Sequence, residues 1–158
     1  MNKAVTMALA VVAALLILSA CQRQPVLPHA QFVHLPLSGW QRTLPVTFTP
    51  QYVDSTVNYD ITLAVRHGSS YAFSNLALVV DVIAADSTVT RSSVDLHLAD
   101  EYGNWTGGGF GPLYQNKVLI AAGLYPSQAR SVVVWQTMNG CDTLHHITDL
   151  GIITTPNN

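Results

Sequence analysis

The sequence predicts an all-β domain, a two-sheet antiparallel β-sandwich of jelly-roll type, and three observations carry that expectation. Residues 57–65 alternate apolar and polar side chains with a period of two, the mark of a strand with one face in a core. Several other runs are short, rich in Val, Ile and Leu, and bounded by Gly, Asn, Asp and Ser. No window carries the 3.6-residue period of an amphipathic helix.

In chain order, residues 1–20 read as a targeting segment. Lys3 supplies a positive start, and residues 8–17 form an unbroken apolar run that is shorter than the ~20 residues of a membrane span. The run ends in Leu18-Ser19-Ala20-Cys21, which resembles the lipobox of bacterial lipoproteins, so Cys21 is expected to be the acylated first residue of the mature chain. Several acyl chains, at about 0.8 kcal/mol per buried CH₂, anchor such a protein to membrane lipid without a transmembrane helix. Residues 21–31 contain Pro25 and Pro28 and no periodicity, and are expected to form a tether. Gln22 is not the aspartate associated with inner-membrane retention, and no acidic run follows Cys21, which favours the outer membrane and a periplasm-facing domain.

Residues 32–158 are expected to make one domain. Beyond Lys3 there are six basic and nine acidic side chains, a net charge of −3, and the basic residues are scattered singly. That pattern excludes binding to a nucleic-acid backbone and polybasic attraction to a membrane surface. With Cys21 acylated, Cys141 has no intrachain partner and is expected to be an inert structural cysteine. Stability must then come from the core.

Strands are expected at residues 32–37, 45–48, 57–65, 76–84, around Val94, Leu96 and Leu98, at 132–138 and at 150–154, seven or eight in all. Val57, Tyr59, Ile61, Leu63 and Val65 point one way, while Asp60 and Arg66 lie on the polar face. Residues 76–84 are nearly continuously apolar, with Asp81 their lone charge. Pro36, Pro45 and Pro50 each remove a ladder donor and confine their neighbours to short, terminal or edge strands. Gln136, Asp149 and Gly151 are expected at polar-face and turn positions, and turn signals stand at Asp54-Ser55, Gly68-Ser69-Ser70, Asp86-Ser87 and Asn139-Gly140.

The most unusual stretch is residues 100–111, DEYGNWTGGGFG, with five glycines and three aromatics directly after a strand. It is expected either to pack as a tight loop over the sandwich edge or to present Trp105 and Phe110 to a partner, with Asp100 and Glu101 on the rim for orientation. The segment lacks the Lys-Ser/Thr of a phosphate-binding loop and leads into Pro112, and Asp100, Glu101 and Asn104 supply too few oxygens for calcium. His145 and His146 are adjacent, so on a strand they point to opposite faces, and with His97 they fit no zinc spacing. No G-x-S-x-G, S-x-x-K or carboxylate pair is present. The expectation is a protein without catalytic residues, metal or cofactor. A competing reading of the same aromatics is an outer-membrane glycan-binding lipoprotein, since jelly rolls can offer aromatic platforms to sugars.

Several local words, taken together, resemble the gliding-motility lipoprotein family GldH of Bacteroidota. They are Arg66 followed by Tyr71-Ala72-Phe73-Ser74-Asn75-Leu76; Leu98-Ala99-Asp100 with Gly103-Asn104-Trp105-Thr106-Gly107 and Gly109-Phe110-Gly111; Gly123-Leu124-Tyr125-Pro126; and Gln136 and Met138 with Leu144, Ile147, Asp149, Leu150, Gly151 and Ile152. The family word resembles Tyr-Pro-Tyr where this chain has Tyr71-Ala72-Phe73, and a basic residue commonly stands where Asn139 does. The resemblance implies a small lipid-anchored envelope protein, accessory to motility or to the associated protein-secretion machinery through contacts with other envelope proteins, with no catalytic residues to carry over.

Overall fold

The structure, a computed structural model, describes residues 27–157; Cys21 and the expected targeting segment lie outside the described residues. These residues form eleven β-strands, one short 3₁₀ turn at Pro126–Gln128 and no α-helix. The alternation read around residues 57–65 becomes β4 (Tyr59–Gly68), with Tyr59, Ile61, Leu63 and Val65 buried on the inner face. Residues 76–84 become β5 (Asn75–Ile83), which pairs in an antiparallel hairpin with β6 (Val89–His97). The lone charge of that run, Asp81, is directly opposite Arg91, which donates to both carboxylate oxygens at 2.7 Å. A charge inside an apolar strand is thus paired across the ladder.

Two sheets pack face to face. In the first, β1 (His29–His34), β11 (Ile147–Pro156), β4, β8 (Leu113–Leu124) and β7 (Gly108–Phe110) lie in that order; in the second the order is β3 (Val46–Phe48), β9 (Ser131–Gln136), β5, β6. Every pair is antiparallel, and a ribbon of β2 (Trp40–Gln41) and β10 (Thr143–Leu144) stands apart. Setting aside β7 and that ribbon, eight principal strands remain. Counted along the chain, they run first, eighth, third, sixth in one sheet and second, seventh, fourth, fifth in the other. This is jelly-roll connectivity. The expected fold class is therefore the observed one.

Four features depart from the sequence reading. Strand β8, twelve residues long, carries no simple alternation because its inner face includes the polar Asn116 and a register shift near Ala121 reverses the phase. Asp60 caps that irregularity by accepting a hydrogen bond from Gly123 N at 2.9 Å. The glycine-rich segment is not all loop, since its second half is β7, hairpinned to β8 through Gly111 and Pro112. Gln136, expected on a polar face, is fully buried at the end of β9; its side chain accepts from Met138 N and donates to Cys141 O, so its polar atoms are spent on the following loop. Paired chain begins at His29, within the stretch expected to be tether.

Strand directions give the sandwich two unlike ends about 30 Å apart, the length of ten residues of β4 at ~3.3 Å each. One end holds the start of β1, the start of β4 and the finish of β8 and β11. The other holds Gly68, the β7–β8 turn and the crossover from β6.

The outer face of the first sheet has its own packing. Gly151 is in mid-strand on β11, opposite Phe32 of β1, and the Phe32 ring lies over it; a Cβ at Gly151 would stand 2.5 Å from ring carbons. The ring covers the gap a glycine leaves in a sheet, and the Arg66 guanidinium lies 3.8 Å above the ring centre. Gly151→Ala should therefore lift Phe32 and destabilise the protein by about 1–3 kcal/mol, as overpacking does. In a Phe32→Ala background the same change should cost almost nothing. Urea unfolding of the four proteins of this cycle measures the difference, and equal penalties in both backgrounds would refute the account.

Candidate functional site

The chain leaves β6 at the end of the sandwich remote from His29, where hydrogen bonds accepted by Asp100 shape the glycine-rich loop. Asp100 Oδ1 accepts from Tyr102 N at 2.9 Å and Asn104 N at 2.8 Å, while Oδ2 accepts from Asn104 Nδ2 at 3.0 Å. These donors, led by the Asn104 side chain, hold the Asp100 carboxyl below the usual carboxylate range. Thr106 returns to Leu98, with its N–H donating to Leu98 O at 2.9 Å, and Ala99 and Trp105 form an isolated antiparallel bridge. Both oxygens of Asp100 thus serve the loop, whereas Glu101 and Tyr102 are exposed beside it.

Trp105 is turned inward and half-buried. Its ring meets His67 edge-on with centroids 4.6 Å apart and lies 6.0 Å from Tyr114 and 6.4 Å from Tyr71, closing the end of the sandwich. Phe110, in β7, is 95% exposed. The two aromatics named by the sequence therefore do not share one exposed surface. Gly109 allows the β7–β8 approach that produces this arrangement, because a Cβ there would collide with the Leu113 carbonyl. Trp40 is buried and donates from Nε1 to Leu44 O at 2.8 Å.

His67 was not visible as a site residue, although it is the next inward position after Val65 in the alternation of β4. It is fully buried, stacks on Tyr114 at 5.5 Å, and places Nδ1 3.1 Å from Gly68 O, while Nε2 has no partner of good geometry. Burial is the larger influence and lowers its pKa, against the raising effects of the Gly68 carbonyl and Asn116.

On the outer face of the same sheet end, the pairings align Gly108, Gln115, Arg66, Asp149 and His34 in one row across all five strands. Arg66 Nε donates to Gln115 Oε1 at 2.8 Å, and His34 Nδ1 lies 3.1 Å from Asp149 Oδ1. Beside this row is a groove of about 590 Å³, bordered by Phe110, Leu113 and Tyr114 on the hairpin side and by Arg66, Gln115 and Asp149 on the floor. A patch with an exposed aromatic, a cation and small residues is suited to holding a partner.

Elsewhere, Cys141 is half-buried with Sγ 3.2 Å from Thr143 O, and the His145 and His146 rings lie 6.5 Å apart. Among the described residues no group of three or more His, Cys, Asp or Glu is placed to hold a metal ion.

The His67 shift has a testable sign. Above about pH 6.5 the imidazole is neutral in both folded and unfolded chains; below it the unfolded chain takes up a proton that the folded protein resists, so stability falls until pH reaches the lowered folded value. Urea midpoints should decline from pH 7.5 to pH 5, and His67→Phe should flatten that decline. An unchanged slope in the variant would show that another group is responsible.

The family model described as GldH lipoprotein matches residues 29–153. A protein of Christiangramia forsetii named gliding motility lipoprotein GldH homolog is 25% identical over 145 residues, covering 87% of each chain. The gliding motility lipoprotein GldH of Flavobacterium johnsoniae is 25% identical over 144 residues, covering 87% of this chain and 89% of that one. Among solved structures, exo-inulinase from Aspergillus awamori aligns at 12% identity and a TM-score of 0.32 over 87% of this chain and 30% of its own, a likeness too loose to support any inference. With the family match running from the first residue of β1 into the last strand, the chain belongs to the GldH lipoprotein family.

Proposed function

We propose that this GldH-family protein is a non-catalytic envelope lipoprotein that serves gliding motility, or the protein-secretion machinery associated with it, by holding other envelope proteins at its glycine-rich end. The names of its relatives support the system. The single observation that carries the mechanism is the polarity of the sandwich. Cys21, proposed to be acylated, precedes His29 by eight residues, a reach of at most about 28 Å. His29 opens β1 at the end away from Phe110. An anchor on that side directs the glycine-rich end away from the bilayer, and confinement to a membrane plane raises its effective concentration beside other envelope proteins. In this reading Phe110 makes the apolar contact, Glu101 stands on the rim, and Asp100 and Trp105 hold the loop in shape. The domain faces the periplasm from the outer membrane.

Two variants in the native host test this. Cys21→Ser should move the protein out of the membrane fraction. Phe110→Ser should leave its level and membrane attachment unchanged and its stability within about 0.5 kcal/mol, as for exposed substitutions, while weakening association with envelope partners about 30-fold, the scale of an aromatic hot spot. Undiminished partner recovery with Phe110→Ser would remove the docking role from this end. Recovery of polysaccharide-uptake proteins alone would replace it with glycan binding.

A further inference from the structure

We infer that the groove beside Phe110 recognises a carboxylate-bearing, apolar segment of a partner polypeptide, with Arg66 and Lys117 as the charged contacts. This rests on the docking reading above and adds the partner's chemistry. Basic residues are scarce in the chain, six beyond Lys3, yet two of them lie on neighbouring strands of one sheet face. Arg66 is in register with Gln115, and Lys117 is two residues farther along β8, opposite Ala64, so the two cations are diagonal neighbours, Arg66 in the groove itself and Lys117 in an adjoining hollow that shares Gly108 and Gln115 with it. Like charges at that spacing repel, with Cα atoms about 7–8 Å apart.

Neither cation has a carboxylate within 4.0 Å among the described residues, where Asp81–Arg91 is an ion pair and His34–Asp149 becomes one only when His34 is protonated. Asp149 faces Arg66 across the ladder but has its Oδ1 on His34. Arg66 is also held in place. Its Nε is spent on Gln115 and its plane lies over Phe32, which leaves the two terminal nitrogens without a hydrogen bond. A guanidinium fixed in this way presents a planar fork that matches a carboxylate.

The apolar half of the recognition is Phe110, 95% exposed, with Leu113, 39% exposed, at the same rim. Gly108 and Gly109 carry no side chains to narrow the approach. A lipid headgroup is a poor fit, because the groove is at the end of the sandwich opposite His29. An acidic, apolar stretch of protein satisfies both halves.

The test uses the full-length acylated protein in its native host, with p-benzoylphenylalanine in place of Phe110, irradiation in membranes and sequencing of the crosslinked peptides. The expected adduct is a protein segment with Asp or Glu within a few residues of the crosslink. Its yield should fall about tenfold or more with Arg66→Gln and with Lys117→Glu, and be retained with Lys117→Arg, in variants whose thermal unfolding matches the parent. A protein adduct indifferent to both charge changes, or a segment without an acid, would overturn the carboxylate assignment and leave the docking reading intact. A glycan adduct, or crosslinking to a second copy of the chain, would also overturn it. Absence of any protein adduct would overturn both readings.

Discussion

The pairing of β4 with β11 on one side and β8 on the other sets the phase of the larger sheet. Side chains on a strand alternate faces, so a slip of one residue would exchange the two surfaces completely. In the observed register Leu63, Val65 and His67 enter the core while Ala64 and Arg66 face outward. Consecutive residues of one strand thereby supply both parts of the glycine-rich end. His67 gives Trp105 a surface to pack on, and Arg66 floors the groove outside. The burial of Ile61, Leu63, Val65, Leu150 and Ile152 makes this register the stable one, each side chain contributing about 1.5–3 kcal/mol. The surface arrangement is a by-product of core packing and inherits its rigidity.

How much of this could be read from the chain depended on whether the polar and apolar faces of a segment were chemically distinct. β4 and β5 were legible because one alternates cleanly and the other is almost wholly β-branched or Leu. β8 was hidden by a polar residue on its inner face and a phase reversal, and without β8 there was no partner to mark Gly108–Phe110 as a strand. The site was half-legible for a related reason. Composition singled out the glycine-rich segment, but it could not separate the aromatic that faces inward from the one that faces outward. That distinction comes from which loop atoms return to Leu98 and which pair with Leu113. Phe32 and Gly151 are 119 positions apart in sequence, and nothing local links them.

Scarcity of charge gives the few charged side chains unusual leverage. Asp60 holds the irregularity of β8 at Gly123 and accepts a second hydrogen bond from Asn157 Nδ2 at 2.8 Å, fastening the finish of β11 to the start of β4. Asp81 and Arg91 knit the β5–β6 hairpin, and Asp100 shapes the loop that delivers Trp105. These carboxylates have definite structural work through hydrogen bonds to backbone or side-chain donors. Among the described Lys and Arg side chains only Arg91 has a partner anion, and of the rest Arg66 and Lys117 are the two that share one sheet face as cross-strand neighbours.

The order of strands also bears on how the chain reaches its folded state. β1 is the edge of its sheet and has one neighbour in it, β11, so the first strand and the last close the structure on each other. A nascent chain that has released its amino-terminal strand therefore has nowhere to dock it until the final strand is available. Contacts between residues so distant in sequence form slowly, because loop closure precedes the interactions that reward it. For a chain whose first twenty residues are proposed to be an export signal, such a delay would favour an extended polypeptide during membrane crossing and defer collapse of the jelly roll to the far side.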